Sequence, residues 1–256
     1  MEKLKKINSF FKIEWMKFRF EKTFSTENCK LKYLFFPEDS PYLLITFSGF
    51  SRKGMGARYN YVRSFENLKA NKLYILDNYG PDDVEGSYYL GKNGDFFIAR
   101  AVEELIEKIQ SKHHIKGENI ITAGSSKGGY AAIYFALKKN FKAAVVGAPQ
   151  IYLADYLEEV KMNYIDYIMG DHSPQTRDTL NQVLVREVKE GIPTRFYIHI
   201  STKDHHYPNH ILPFIKLLEE KSISYELDLE NYEKHGLVGE YYKIYGPEKI
   251  SELINE

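Results

Sequence analysis

The sequence predicts an α/β fold in which a mostly parallel central sheet carries helices on both faces. Apolar, β-rich runs alternate with runs of helical periodicity, which is the pattern of strands joined by crossover helices. The chain has 256 residues and contains neither an internal repeat nor a low-complexity linker. This length suits one domain with a large buried core. We therefore predict a single domain that spans residues 1–256.

The first two predicted strands, Phe11–Phe20 and Lys30–Phe36, alternate apolar and polar residues, which indicates an antiparallel start to the sheet. The later predicted strands are mostly apolar: Tyr42–Phe47, Lys72–Asp77, Asn119–Gly124, Lys142–Pro149, Thr194–Ser201 and Ser224–Glu230. Helical patterns cover Asn60–Lys69, Phe96–Lys112, Tyr130–Lys139, residues 151–190, His210–Ser222 and residues 236–256. Asp95 directly precedes the helix at Phe96–Lys112, and we predict that it is the N-cap.

Composition narrows the class of partner and the compartment. The chain carries 35 basic and 35 acidic residues, so its formal charge is zero. A zero charge argues against a nucleic-acid partner, whose phosphates a basic protein would neutralise. Cys29 is the only cysteine, which excludes an internal disulfide and fits a reducing compartment. The sequence shows no signal-peptide pattern and no run of the roughly 20 apolar residues that a membrane span needs. We therefore expect a cytoplasmic protein without a transmembrane segment.

The stretch "GSSKG" at residues 124–128 matches the pattern Gly-x-Ser-x-Gly and lies between a predicted strand and a predicted helix. In this context the central residue, Ser126, occupies a strained turn that exposes its hydroxyl at the carboxyl edge of the sheet. The helix that follows presents its N-terminal dipole and free N–H groups to a developing negative charge. A plain glycine-rich connection would also fit the five letters. The strand–turn–helix context favours a nucleophile.

A serine nucleophile needs a base and an acid that orients the base. Asp204 follows the predicted strand Thr194–Ser201, and His235 follows the last predicted strand. Both side chains are therefore expected at the same sheet edge as Ser126. We predict that Ser126, Asp204 and His235 form a catalytic triad, with Asp155 as the alternative acid.

Two backbone N–H groups are candidates for an oxyanion hole. One belongs to Lys127, the residue after the nucleophile, and the other to Phe50 in the glycine-rich turn at residues 48–56, with Ser51 as the alternative. Gly49 in the same turn would let the backbone approach a substrate. Because only backbone is needed there, a simple connecting loop stays an open alternative.

Further side chains are candidate substrate contacts. Lys127 stands beside the nucleophile, where it either binds an anionic substrate group or is solvated at the helix start. His205 is a candidate for the mouth of the site. Contacts from Arg52, Arg58 and Arg63 to a phosphate or carboxylate are left open, because a charged surface helix explains these residues better.

A metal site is not predicted. His206 and His210 have the spacing of neighbours on a helix, but Pro208 lies between them. We expect neither a metal nor a cofactor, since the predicted triad needs none.

These motifs resemble the α/β-hydrolase superfamily over residues 42–243, with Ser48 in "SGF" where the family commonly has histidine. The stretches "GSSKGGYAAIYFAL" and "VVGAPQ" resemble bacterial hydrolase-like proteins of capsule biosynthesis and of accessory secretion of glycosylated adhesins. The resemblance implies a bacterial surface-glycan setting, in which members of this wider group transfer acyl groups to sugars. It also implies that the helical segment at residues 151–190 is a small cap over the pocket.

The function that follows is a serine hydrolase of esterase type, which acts through an acyl-serine intermediate on an acylated sugar or another small ester. Transfer of the acyl group to a surface glycan is one alternative. The other is a catalytically silent hydrolase fold that binds a glycan or protein partners within a biosynthetic or secretion complex. Covalent labelling by a fluorophosphonate distinguishes the enzyme from the binding module.

Overall fold

A computed structural model describes residues 16–50, 56–81, 86–160 and 163–256. Its strands are β1 (Lys22–Ser25), β2 (Lys30–Phe36), β3 (Leu43–Phe47), β4 (Asn71–Leu76), β5 (Ile120–Ser125), β6 (Ala143–Gly147), β7 (Arg195–Ser201) and β8 (Tyr225–Glu230). These described strands form one sheet in the order β1-β2-β4-β3-β5-β6-β7-β8. The β1–β2 and β2–β4 pairs are antiparallel, whereas every later pair from β4–β3 to β7–β8 is parallel.

This sheet confirms the predicted fold class, a mostly parallel sheet with antiparallel strands at its N-terminal end. Strands β3, β4, β5 and β6 are buried along their whole length, which explains why their sequences are largely apolar without alternation. The helices are α1 (Phe97–His113), α2 (Lys127–Lys139), α3 (Leu153–Val160), α4 (Asn163–Met169), α5 (Pro174–Val185), α6 (Leu212–Glu220) and α7 (Val238–Asn255). Helices α3 to α5 connect β6 to β7 and lie within the segment expected to form a cap.

The predicted strand at Phe11–Phe20 is wrong where the structure describes it, because residues 16–20 are helical. Residues 11–15 lie outside the described residues. The first strand of the described residues is instead β1, which reaches β2 through a tight turn where the Thr26 N–H donates to the Cys29 carbonyl at 2.8 Å. A turn this short pairs the residues just before it with those just after it, from Ser25↔Lys30 outwards. Residues 16–20 therefore lie outside this hairpin.

Two local predictions in the first half of the chain are also wrong. Asn60–Lys69 is a series of turns rather than a helix, and Tyr61 has a φ of 59°, which a right-handed helix does not permit. Asp95 does not cap α1, since Phe96 occupies the N-cap position without a side-chain cap. The Asp95 carboxylate instead pairs with Arg100 at 2.5 Å.

No helix within the described ranges is long and apolar enough to cross a membrane. The expected cytoplasmic location stays a prediction.

The parallel strands bring the predicted site residues to one edge of the sheet. Strand β5 ends immediately before Ser126, β7 ends at Ser201, and β8 ends at Glu230. Because these strands run in the same direction, their carboxyl ends and the loops that follow meet there. Asp204 and His235 lie in the loops after β7 and β8.

Candidate active site

Ser126 lies in a strained turn between β5 and α2. Its φ is 53° and its ψ is −122°, a backbone region that L-residues rarely adopt. The Ser126 N–H donates to the Gly147 carbonyl at 2.8 Å, which ties the turn to the end of β6. A Cβ on Gly124 would overlap the carbonyl oxygen of Gly128, and a Cβ on Gly128 would overlap that of Phe47. Only glycine fits at these two positions, so the turn requires the spacing seen in the sequence.

The structure brings Ser126, His235 and Asp204 together in one chain of hydrogen bonds. Ser126 Oγ lies 2.9 Å from His235 Nε2. His235 Nδ1 lies 2.9 Å from Asp204 Oδ2. An ionised carboxylate only accepts hydrogen bonds, so His235 carries its proton on Nδ1 and Nε2 is free to accept the serine proton. This is the arrangement of a nucleophile, a general base and an orienting acid.

Asp204 is buried, with 1% of its surface exposed. Burial is the largest single influence on the pKa of Asp204, and it acts to raise that pKa. The hydrogen bond and the charge of His235, together with the hydrogen bond from the His206 N–H, outweigh burial and hold the pKa of Asp204 below its ordinary value. The His206 N–H donates to Asp204 Oδ1 at 3.0 Å. Asp204 is therefore held as an anion beside His235.

Three further histidines surround this group. His205 is half exposed, and its ring centroid lies 5.5 Å from that of His235. His206 is buried with its ring 4.0 Å from the His235 ring, and its Nδ1 donates to the Ala148 carbonyl at 2.9 Å. Burial lowers the pKa of His206 to about 2 and that of His210 to about 4. Both rings are therefore neutral at any pH near 7.

His206 also joins Asp204 and His235 in a group whose possible ligand atoms all lie within 4.8 Å of one another. Asp204 and His235 use these atoms to bond each other, and His206 uses Nδ1 for a carbonyl. The direct hydrogen bond favours proton transfer as the use of this group. The expected absence of a metal stays a prediction.

The oxyanion-hole candidates belong to the start of α2 and to the turn after β3. Lys127 is the first residue of α2, so its N–H has no acceptor within the helix and points out of the helix N-terminus. The Phe50 ring packs edge-to-face on Tyr88 and Tyr164, with centroids 5.3 and 5.6 Å away. The Gly49 N–H donates to Asn60 Oδ1 at 2.9 Å, which orients the turn after β3. The roles of the Lys127 and Phe50 N–H groups and of Gly49 stay predictions.

The Lys127 side chain contradicts both uses that its position in the sequence suggests. It has no exposed surface, and its Nζ lies 3.0 Å from Asp77 Oδ2, which is also fully buried. Burial lowers the pKa of Lys127, and the Asp77 charge opposes this shift. The ammonium is thus neither solvated nor available to a substrate anion, because it supports the start of α2 from within the core.

The remaining candidate residues lie either outside the described residues or away from the three proposed catalytic side chains. Ser51 and Arg52 lie outside the described residues. Arg58 is half-buried, and Arg63 lines a cavity of about 490 Å³ that also includes Tyr61 and Tyr74 but none of the three proposed catalytic side chains. The alternative acid, Asp155, accepts from Asn181 Nδ2 at 2.8 Å on the surface, whereas Asp204 contacts His235.

Sequence reasoning missed two side chains that touch the nucleophile turn. Gln150 Nε2 lies 2.9 Å from Ser126 Oγ. The Tyr61 hydroxyl lies 2.5 Å from Ser125 Oγ. Gln150 ends the stretch "GAPQ" after β6, a strand whose carboxyl end lies at the same sheet edge as Ser126. This position is the one signal in the sequence that indicates a contact between Gln150 and the site. Tyr61 lies in a segment without a motif, so nothing in the sequence indicates its contact.

The sheet order, the strained serine turn and the acid and histidine at later strand ends define an α/β hydrolase. The chain belongs to the prolyl oligopeptidase family, whose sequence profile matches residues 99–255. This match contains Ser126, Asp204 and His235 and confirms the superfamily that the motifs resemble.

Known proteins add three likenesses. An accessory Sec system protein of Staphylococcus aureus is 28% identical over 162 residues. The match covers 59% of this chain but only 29% of the length of the accessory Sec system protein. The capsule O-acetyltransferase of Neisseria meningitidis serogroup A superposes with a TM-score of 0.77 at 23% identity, covering 91% of this chain and 94% of that one. A glycosylation-associated protein complex from Streptococcus agalactiae gives a TM-score of 0.78 at 17% identity, covering 92% and 46%. These structural likenesses show a shared hydrolase/acyltransferase-type fold.

Proposed function

We propose that the protein is a serine hydrolase of esterase type that acts through an acyl-serine intermediate on an acylated sugar or another small ester. The observation that carries the proposal is the unbroken chain of hydrogen bonds from Ser126 Oγ through His235 to Asp204. Ser126 directly follows β5 in a turn that holds its backbone in a strained conformation, as an exposed nucleophile requires.

Acylation begins when Ser126 Oγ attacks the ester carbonyl carbon and forms a C–O bond, while its proton passes to His235 Nε2. The carbonyl oxygen becomes an oxyanion that accepts hydrogen bonds from the Lys127 and Phe50 N–H groups. When the intermediate collapses, the bond to the leaving alcohol breaks and the His235 proton moves to the alcohol oxygen. Asp204 stabilises the imidazolium throughout and keeps its Nδ1 proton in place.

Deacylation repeats these steps with a second hydroxyl compound. His235 takes the proton of this acceptor, the acceptor oxygen attacks the acyl-serine, and Ser126 leaves with the returned proton. Water as acceptor gives hydrolysis, whereas a sugar hydroxyl gives transfer. The likeness to the capsule O-acetyltransferase supports transfer to a surface glycan as the second candidate function.

Helices α3 to α5 are proposed to cap the substrate pocket. Tyr164 of α4 packs on Phe50, the residue of the proposed second oxyanion donor, with ring centroids 5.6 Å apart. Tyr156 of α3 packs edge-on against His206 at 5.2 Å. Both contacts join this segment to the loops that carry proposed site residues, which supports its proposed role as a cap. We propose that the cap belongs to the same single domain as the sheet.

A binding role within a glycan or secretion complex is the alternative from another class. The likenesses to an accessory Sec system protein and to a glycosylation-associated protein complex support it. It leaves the strained Ser126 turn and its paired histidine without a use. For this reason we place catalysis first.

Short-chain p-nitrophenyl esters and an O-acetylated oligosaccharide test the proposal. We expect the wild-type protein to release p-nitrophenol and acetate, and Ser126→Ala to release neither. Adding a deacetylated oligosaccharide distinguishes the two enzymatic candidates, because a transferase forms the O-acetylated sugar at the expense of free acetate. Release that is no faster with wild type than with Ser126→Ala would leave the binding role as the better account.

A further inference from the structure

Gln150 places a buried amide against the oxygen of the proposed nucleophile. Its Nε2 lies 2.9 Å from Ser126 Oγ, the atom that also lies 2.9 Å from His235 Nε2. Gln150 has no exposed surface, and its amide lies near enough to the Tyr156 hydroxyl to oppose the rise that burial causes in the pKa of Tyr156. The site thus contains a side-chain amide that the steps described above do not use.

The direction of this hydrogen bond follows from the proton count. His235 carries its proton on Nδ1 towards Asp204, so its Nε2 accepts the single proton of Ser126. Ser126 Oγ has no second proton and must accept from Gln150. With the amide reversed, the Gln150 carbonyl oxygen and Ser126 Oγ would face each other as two acceptors.

The loop that carries Gln150 is anchored at Ala148, two residues before it. The Ala148 N–H donates to the His199 carbonyl at 2.8 Å, and the Ala148 carbonyl accepts from His206 Nδ1 at 2.9 Å. Gln150 Oε1 is buried without a partner among the described residues. A buried acceptor without a partner is unfavourable. The favourable contact of this amide is therefore made by its donor, Nε2, and not by Oε1.

We propose that Gln150 is a catalytic residue that donates a hydrogen bond to Ser126 Oγ as charge develops on this atom. The inference rests on the proposed acyl-serine mechanism and deepens it. During acylation the Ser126 proton moves to His235 while the new C–O bond forms, and the Gln150 N–H stabilises the charge on Oγ before that bond is complete. During deacylation the same bond breaks, and the amide stabilises Oγ as the leaving group until His235 returns the proton. Both steps therefore depend on the same donor.

Pre-steady-state kinetics with p-nitrophenyl acetate tests this role in Gln150→Met, which keeps the side-chain length and removes the donor. We expect the burst rate and the steady-state rate to fall by about 10- to 100-fold each, with KM little changed, because a hydrogen bond to a developing charge is lost. Gln175→Met, at an exposed position of α5, is the matched control and should behave as wild type. Thermal unfolding checks that both variants are folded.

A second variant gives a readout that a structural role would not move. In Gln150→Glu the new side chain donates to Ser126 only when it is protonated, so the ratio of its rate to the wild-type rate should rise as the pH falls. Unchanged rates in Gln150→Met, together with a constant ratio for Gln150→Glu, would overturn the inference while the wild-type burst still supports the proposed function. A wild-type protein that shows neither a burst nor labelling would overturn both.

Discussion

The Lys127 ammonium lies 3.0 Å from Asp77 Oδ2, and neither side chain has any exposed surface. Asp77 also accepts the Ser87 and Tyr89 N–H groups at 2.7 and 3.0 Å. Lys127 follows the nucleophile directly and begins α2, so this ion pair joins the nucleophile turn to the end of β4. The charge next to Ser126 therefore acts on the architecture of the site rather than on a substrate.

Breaking this pair is expected to destabilise the protein strongly. Asp77→Asn leaves the Lys127 charge without its counter-ion in the core, which should lower the free energy of unfolding by about 3–5 kcal/mol. The double variant Asp77→Asn with Lys127→Met removes both charges and should recover part of the loss. Urea unfolding monitored by fluorescence measures both changes. A double variant that is as unstable as the sum of its two single variants would show that the two charges are not coupled.

Ser125 and Ser126 are adjacent but are expected to respond oppositely to replacement by alanine. Ser126→Ala should lower kcat for ester hydrolysis by about 10⁴–10⁶, as the loss of a nucleophile does. Ser125→Ala should retain most activity, because Ser125 Oγ bonds the Tyr61 hydroxyl and not His235. It leaves that hydroxyl unpaired and should cost about 1–3 kcal/mol of stability. Equal loss of activity in two folded variants would reverse the assignment of the nucleophile.

Asp204→Asn tests the acid. The amide can donate to His235 Nδ1 and so favour the tautomer whose Nε2 carries the proton, which should lower kcat by up to about 10⁴. Asp155→Asn, on the surface beside Asn181, is the control and should retain full activity. The opposite result, with Asp155→Asn inactive and Asp204→Asn active, would move the acid to the segment after β6.

His206 and His210 are expected to make stability fall as the solution is acidified. Burial lowers their folded-state pKa values to about 2 and about 4, whereas both protonate near pH ~6.5 in the unfolded chain. Between these limits the unfolded state binds more protons than the folded state. For each of the two histidines, the free energy of unfolding therefore decreases by about 1.4 kcal/mol for every unit by which the pH falls. This contribution is fully present above about pH 6.5.

His206→Asn provides the measurement, since the Asn amide can still donate to the Ala148 carbonyl and does not titrate. Urea unfolding at several pH values between 7 and 5 should show a pH slope that is smaller than in wild type, by about 1 kcal/mol per unit on average over this range and approaching about 1.4 at its acidic end. A slope equal to that of wild type would mean that His206 protonates in the folded protein as readily as in the unfolded chain.

The parts of the site that the sequence predicts are those with a local or topological signal. Ser126 stands in a five-residue pattern whose glycines have steric reasons that the structure shows at Gly124 and Gly128. Asp204 and His235 could be chosen because both directly follow strands, and parallel strands bring such loops together. The distances that place the three side chains within hydrogen-bond reach are properties of the folded chain.

The remainder depended on contacts that no local pattern records. Asp77 and Lys127 are 50 positions apart, and their pairing requires β4 and the start of α2 to meet. Gln150 is a single amide in a short loop, and its importance comes from the direction of one hydrogen bond. Alternation over Phe11–Phe20 failed as a strand signal at the described residues 16–20, because the short turn pairs Lys22–Ser25 with β2 instead.

The most direct test of the central claim is to identify the residue that a fluorophosphonate modifies. The protein is treated with the probe, digested, and analysed by peptide mass spectrometry, with Ser126→Ala and Ser125→Ala treated in parallel. We predict one adduct on Ser126 in wild type and in Ser125→Ala, and no adduct in Ser126→Ala. Folded wild-type protein that stays unmodified, or that is modified on another residue, would contradict an acyl-serine mechanism at Ser126.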